Sequence, residues 1–120
     1  MRDFKKYSVW EKSHEIVLEI YRITKNFPKD EFYGLVSQMR RSSSSIPTNI
    51  AEGCGRYTDP DFARFIVIAS GSACELEYQI ILSHSLKYIN TEQFKKLNEH
   101  VNEVKKMLAG LHNKLTAKGK

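Results

Sequence analysis

Glu11-Lys12-Ser13-His14 sets a carboxylate and an imidazole three residues apart, a spacing that stacks two ligands on one helix face. Carboxylate-bridged two-iron bundles use that Glu-x-x-His unit twice. Here it occurs once, because His84, His100 and His112 have no glutamate three positions before them. Half a motif describes an exposed helix pair, so no metal is expected. The run Ser42-Ser43-Ser44-Ser45 is rich in hydroxyls, yet no histidine stands at a fixed spacing and no Gly-x-Ser-x-Gly elbow exposes a nucleophile. Phosphate-cradling glycine loops and dinucleotide fingerprints are absent. Cys54 and Cys74 are too few for a disulfide framework and lack metal-site spacing, so both read as small buried hydrophobes. The expectation is a protein with no catalytic residue and no cofactor.

The remaining chemistry is charge. Nineteen Lys and Arg against fourteen Asp and Glu give a formal net charge of +5. That field is mild and spread along the chain, compatible with nucleic acid without being diagnostic of it. The candidate phosphate contacts are Arg40, Arg41, Arg56 and Arg64, followed by the lysine pairs Lys95-Lys96 and Lys105-Lys106. Hydrophobic residues make up 41% and charged residues 28% of 120 residues, the balance of one ordinary globular domain. No uninterrupted apolar run approaches the roughly 20 residues of a membrane span, and no signal-peptide stretch follows Met1. A cytoplasmic protein without a membrane partner is the expectation.

These side chains must be positioned by helices. Phe94, Leu97, Val101, Val104, Leu108, Leu111 and Leu115 alternate spacings of three and four, a heptad stripe on one helix that Asn90 can cap. Trp10, Ser13, Val17, Ile20, Thr24 and Phe27 repeat the pattern near the start. A third helix begins at Thr58-Asp59-Pro60, with proline in the first turn at no cost. Its apolar residues wrap too far round, since Ile66-Val67-Ile68-Ala69 and Ile80-Ile81-Leu82 cover every direction. A helix facing one core needs only a stripe. This one needs neighbours on more than one side.

The second helix contains Pro47, which removes a hydrogen bond and crowds the carbonyl of Ser43 at about 3 kcal/mol. Even so, Met39, Ser43, Ile46, Ile50 and Gly53 keep one phase across the proline. A loop has no reason to keep phase, so the sequence implies one helix kinked at Pro47, with serine hydroxyls partly satisfying freed carbonyls. Beside the apolar stripe runs a polar one, including Gln38, Ser45, Asn49, Glu52 and Arg56. Its short, hydrogen-bonding side chains suit a packed polar contact, and Ser70-Gly71-Ser72-Ala73-Cys74 offers a matching small-residue surface. The expected anchor is Arg40 or Arg41 paired with Glu75 or Glu77. Together these readings give an all-α, antiparallel up-down-up-down four-helix bundle of a single domain, residues 1–120, with helices near 8–26, 33–56, 59–88 and 92–116. Helices of about 24 residues would make a rod roughly 36 Å long.

The segments "FPKDEFYGLVSQMRRSSSSIPTNIAEG" and "FARFIVIASGSACELEYQ", with the opening "VWEKSHEIVLEIYRITKNFP", resemble the four-helix-bundle family encoded by intervening sequences within bacterial 23S ribosomal RNA genes. Ser42-Ser43-Ser44 departs from the alanine and other small residues more usual there. The resemblance implies a bundle that associates into a ring, typically a homopentamer; the polar stripe and the small-residue surface described above make Asn49, Glu52, Gly71, Glu75 and Glu77 the candidate packing and assembly residues. A related architecture occurs in the basic pentameric accessory protein of diversity-generating retroelements, which binds nucleic acid and a reverse transcriptase. The expected function is therefore non-enzymatic: a ring-shaped oligomer binding structured nucleic acid, RNA ahead of DNA. The alternative is a scaffold or accessory subunit for a protein partner.

Overall fold

The computed structural model describes residues 2–117. Four helices carry the fold: α1 (Ser8–Thr24), α2 (Ser37–Cys54), α3 (Asp59–Ser85) and α4 (Thr91–Thr116). No strand occurs among the described residues. Each helix packs on its sequence neighbours, α1 also packs on α4, and the pairs α1/α3 and α2/α4 lie on diagonals. Cross-helix hydrogen bonds fix direction. Met39 meets Ser83, Ser42 meets Gln79 and Ser45 meets Ser72, so α2 and α3 run in opposite senses. Lys105 on α4 likewise reaches back to Glu77 on α3, while His84 near the end of α3 meets Thr91 at the start of α4. The rod measures 50 × 23 × 20 Å, longer than the roughly 36 Å expected of helices of about 24 residues, and α3 alone has 27 residues.

Sequence signals account for the helix ends. Thr58 Oγ1 accepts from the Asp61 amide at 3.2 Å and Pro60 occupies the first turn of α3. Asn90 and Gln93 form a reciprocal capping box on α4, at 2.7 and 2.9 Å. α3 stops three residues before the expected 88. Lys87 adopts φ 65°, and the Tyr88 and Lys87 amides donate to the Ser83 and His84 carbonyls, a left-handed terminal cap built without glycine.

α2 runs unbroken through Pro47, and Pro47 is buried. The backbone departs from helical angles earlier, at Gly34 (φ −106°, ψ −110°), inside a wide π-type turn over Phe32–Val36 that replaces the expected start of the helix. The serine hydroxyls do bond backbone carbonyls, but those of the preceding turn. Ser43 and Ser44 donate to the Arg40 carbonyl and Ser42 to that of Met39, so none of these bonds reaches the Ser43 carbonyl, which Pro47 has no amide to serve.

The core follows the predicted stripes at Ile20, Met39, Ile46, Ile50, Leu97, Val101, Val104 and Leu108, all fully buried, but on α1 Ile16 takes the core position expected of Val17, which is only half-buried, as is Trp10. α3 contributes Phe62, Ile66, Ala69, Ala73, Leu76 and Ile80 to the same core. By length and composition alone α3 could cross a membrane, with mean hydropathy 1.4 over its most apolar window. That tempers the expectation drawn from uninterrupted apolar runs. Its polar contacts through Gln79 and Ser83 to α2 and through Glu77 to α4 tie it into this bundle.

Candidate nucleic-acid interface and self-association face

The eight candidate cations divide by what already holds them. Arg56 pairs with Glu52 at 2.9 Å one turn away, and its guanidinium lies over the Phe65 ring. Arg64 pairs with Asp61 at 3.1 Å. Lys105 donates to Glu77 at 2.7 Å, and that bond holds the Glu77 carboxyl below and the Lys105 ammonium above their ordinary pKa values. Among the described residues, no ion pair engages Arg40, Arg41, Lys95, Lys96 or Lys106. Two of these cations stand on α2 and three on α4, diagonal helices, so the structure does not gather the candidates into one patch.

The expected Arg–Glu anchor across α2 and α3 is not made within the chain. Arg40 turns the other way, toward α1: Nε donates to Thr24 Oγ1 at 3.1 Å, and the guanidinium stacks over Tyr21, 4.6 Å from the ring centroid. Glu77 faces α4 and takes Lys105 instead. Arg41 and Glu75 line one polar groove of about 750 Å³ between α2 and α3, without an ion pair between them. The reason is angular. Arg40 and Arg41 are about 100° apart on the helix, and only the latter points toward α3.

What joins α2 to α3 is a seam of short side chains. Ser42 Oγ donates to Gln79 Oε1 at 2.5 Å, Ser72 Oγ donates to Ser45 Oγ at 2.9 Å, and Asn49 Nδ2 donates to the same Ser45 oxygen at 3.0 Å. Close approach at its lower end depends on Gly53, packed against Phe62 and Phe65. Gly71 has no such role inside the chain, since a Cβ there would meet open space. Glu52 and Glu75 are exposed. Cys54 is buried, which pushes its thiol pKa up, but Cys74 is exposed, contrary to the expectation that both are core residues.

Around Cys74 the outer side of α3 carries a second heptad series. Val67, Gly71, Cys74, Tyr78 and Ile81 are all exposed, Tyr78 by 61%, with Ile68 beside them. This is the unpartnered circumference that the crowded apolar pattern announced. The Glu11–His14 pair gathers no further ligand: His14 stacks on Trp10 at 5.2 Å, and no cluster of three or more metal-ligating side chains occurs among the described residues.

Sequence reasoning missed the aromatic corner between α1 and α2. There Tyr33 is 91% exposed and Phe32 53%, in edge-to-face contact at 4.9 Å. The signal was available in Phe32-Tyr33 following Pro28-Lys29-Asp30-Glu31, two large rings in a connection where neither has a helix face to bury. The corner is held firm by Glu31, which accepts from the Leu35 amide at 3.2 Å and from the Tyr88 hydroxyl at 2.9 Å.

A closed helical core, a polar α2–α3 seam and an uncovered apolar face on α3 define a four-helix bundle protein. Its sequence matches the profile of the 23S rRNA-intervening sequence protein over residues 5–110, and the chain belongs to that family. A solved structure of a protein of unknown function from the S23 ribosomal protein family of Bacteroides thetaiotaomicron is similar, with 29% identity and a TM-score of 0.81. The similarity covers 88% of this chain and 96% of that one. No curated protein matches the sequence.

Proposed function

We propose that the protein is a non-catalytic, self-associating bundle of the cytoplasm that binds structured nucleic acid, RNA in preference to DNA, through cations displayed by the assembled form. The observation that carries this reading is the exposed face of α3, where Val67, Ile68, Tyr78 and Ile81 stand in water in the single chain. Large aliphatic and aromatic side chains aligned over several turns favour coverage by a partner. A second copy offers Gly71 for close approach and the open Arg41–Glu75 groove for a reciprocal ion pair. Association into the homopentamer implied by the family resemblance multiplies the charge, since five copies at +5 would total about +25. Phosphate affinity grows with the number of contacts neutralised, so a ring would bind where one chain would not. Arg40, Lys95, Lys96 and Lys106 are the contacts this reading assigns first, because among the described residues no carboxylate holds them, and Arg41 serves phosphate only where the pair with Glu75 is not made. Lys105, Arg56 and Arg64 are secondary.

Native mass spectrometry combined with retention of structured RNA over a salt series tests it. The expected result is an oligomer whose RNA affinity falls steeply with salt and weakens when Lys95 and Lys96 become glutamine. A monomer at high dilution that retains no RNA at low salt overturns it. An oligomer without RNA affinity favours the second reading, a scaffold for a protein partner, which rests on the same α3 face.

A further inference from the structure

We infer that the corner between α1 and α2 is a stacking site for an unpaired nucleotide. The inference rests on the nucleic-acid reading and names the form of nucleic acid that this corner selects.

Two adjoining cavities, of about 460 and 320 Å³, share Phe32, Tyr33, Val36 and Arg40 as walls. The first adds Lys25 and Lys29, the second Tyr21 and Arg41. Neither is lined by a carboxylate. The acids of this connection lie elsewhere: Glu31 is committed to Leu35 and Tyr88, and Asp30 is exposed outside both cavities. Each volume is on the scale of one nucleotide, at the small end for a ligand site. The chemistry is that of single-strand recognition, with exposed rings on which a base can stack and cations within reach of its phosphates.

Rigidity argues against incidental exposure. Tyr33 and Phe32 ride on the π-type turn, which Glu31 pins to Tyr88 and to the Leu35 amide. Phe27, at the base of the first cavity, packs on Tyr88 with centroids 5.2 Å apart. Arg40 is held flat on Tyr21 by its bonds to Thr24 Oγ1 and the Tyr21 carbonyl, leaving the remaining guanidinium donors available to an acceptor. Such a surface is set before ligand arrives, so little order is lost on binding. A base inside a duplex has both faces covered by its neighbours and cannot use Tyr33. A loop, bulge or single strand can.

The test is fluorescence anisotropy of the full chain with a labelled oligouridine of about 12 nucleotides, within the usual span of single-strand sites, against a blunt RNA duplex of equal length. Tyr33→Ala is expected to weaken oligouridine binding roughly tenfold, as loss of one stacked base does, while duplex affinity and the salt slope stay unchanged. Tyr33→Trp is expected to restore single-strand affinity. Lys95→Gln with Lys96→Gln should weaken both ligands and reduce the salt slope. Single-strand affinity indifferent to Tyr33→Ala, or equal losses for strand and duplex, overturns the stacking site and leaves the general nucleic-acid reading standing. Failure of the unaltered chain to bind either RNA at low salt overturns both.

Discussion

Gly53 lies so close to Phe62 that a Cβ added there would stand 2.6 Å from the ring, with the Phe65 Cβ at 3.0 Å on the other side. Phe62 is fully buried and cannot swing away. In an open helix, Gly→Ala would stabilise by about 1 kcal/mol through backbone entropy. At this site overpacking opposes that gain with roughly 1–3 kcal/mol. Gly53→Ala should therefore lower stability by up to about 2 kcal/mol, read by chemical denaturation. A stabilised variant would show that α2 and α3 can part here freely.

Ser42 and Gln79 form a buried pair at the centre of the seam. Ser42→Ala leaves the Gln79 carbonyl oxygen short of a donor and should cost about 1–3 kcal/mol. Ser42→Ala combined with Gln79→Leu removes both partners and should recover most of that loss, a coupling measurable by a double-mutant cycle. Additive losses would mean the hydrogen bond contributes nothing specific.

The Glu77–Lys105 bond makes stability depend on pH in a definite direction. The bond depresses the Glu77 carboxyl, so folding keeps a deprotonated group that the unfolded chain protonates more readily. Its contribution is present above the ordinary carboxylate value, roughly pH 4, and is lost as pH falls through the lower folded value. Thermal melts from neutral to acid pH should show wild type losing more stability below roughly pH 4 than Glu77→Gln does. Parallel profiles would sever Glu77 from the acid response.

Coverage of the α3 face should show in melting behaviour. If copies meet there, the melting temperature rises with protein concentration by mass action. Val67→Glu with Tyr78→Glu should abolish that dependence while leaving the dilute melting temperature close to wild type, because both side chains are exposed in the single chain. Sedimentation velocity supplies the mass. Unchanged assembly would move the contact to another surface.

Much of this architecture was legible in the residues. The α4 stripe from Phe94 to Leu115 lies on the core side, and Asn90 caps where its type and place suggest. The unbroken phase from Met39 to Gly53 identified one helix across Pro47, because periodicity survives a single missing hydrogen bond. The excess apolar girth of α3 also appears as exposed surface. Pairing was not legible. Arg40 prefers a ring and a hydroxyl on α1 to a glutamate on α3, a choice set by rotation about the helix axis and invisible in a list of charges. The end of α3 was hidden as well, since Lys87 takes a left-handed conformation that sequence signals assign to glycine. The Phe32-Tyr33 corner escaped because periodicity arguments apply to helices, while these rings sit in a turn that has no period.

The diagonal placement of α2 and α4 carries one more geometric consequence. Were α3 walled in by sister subunits, α1 would become the outward ridge, flanked by Arg40 of α2 on one slope and by Lys95 and Lys106 of α4 on the other. A polyanion touching both slopes must then drape across that ridge, crosswise to the rod. Repeated from copy to copy, such saddles would lay a strand around the rim and leave the axle of the wheel untouched.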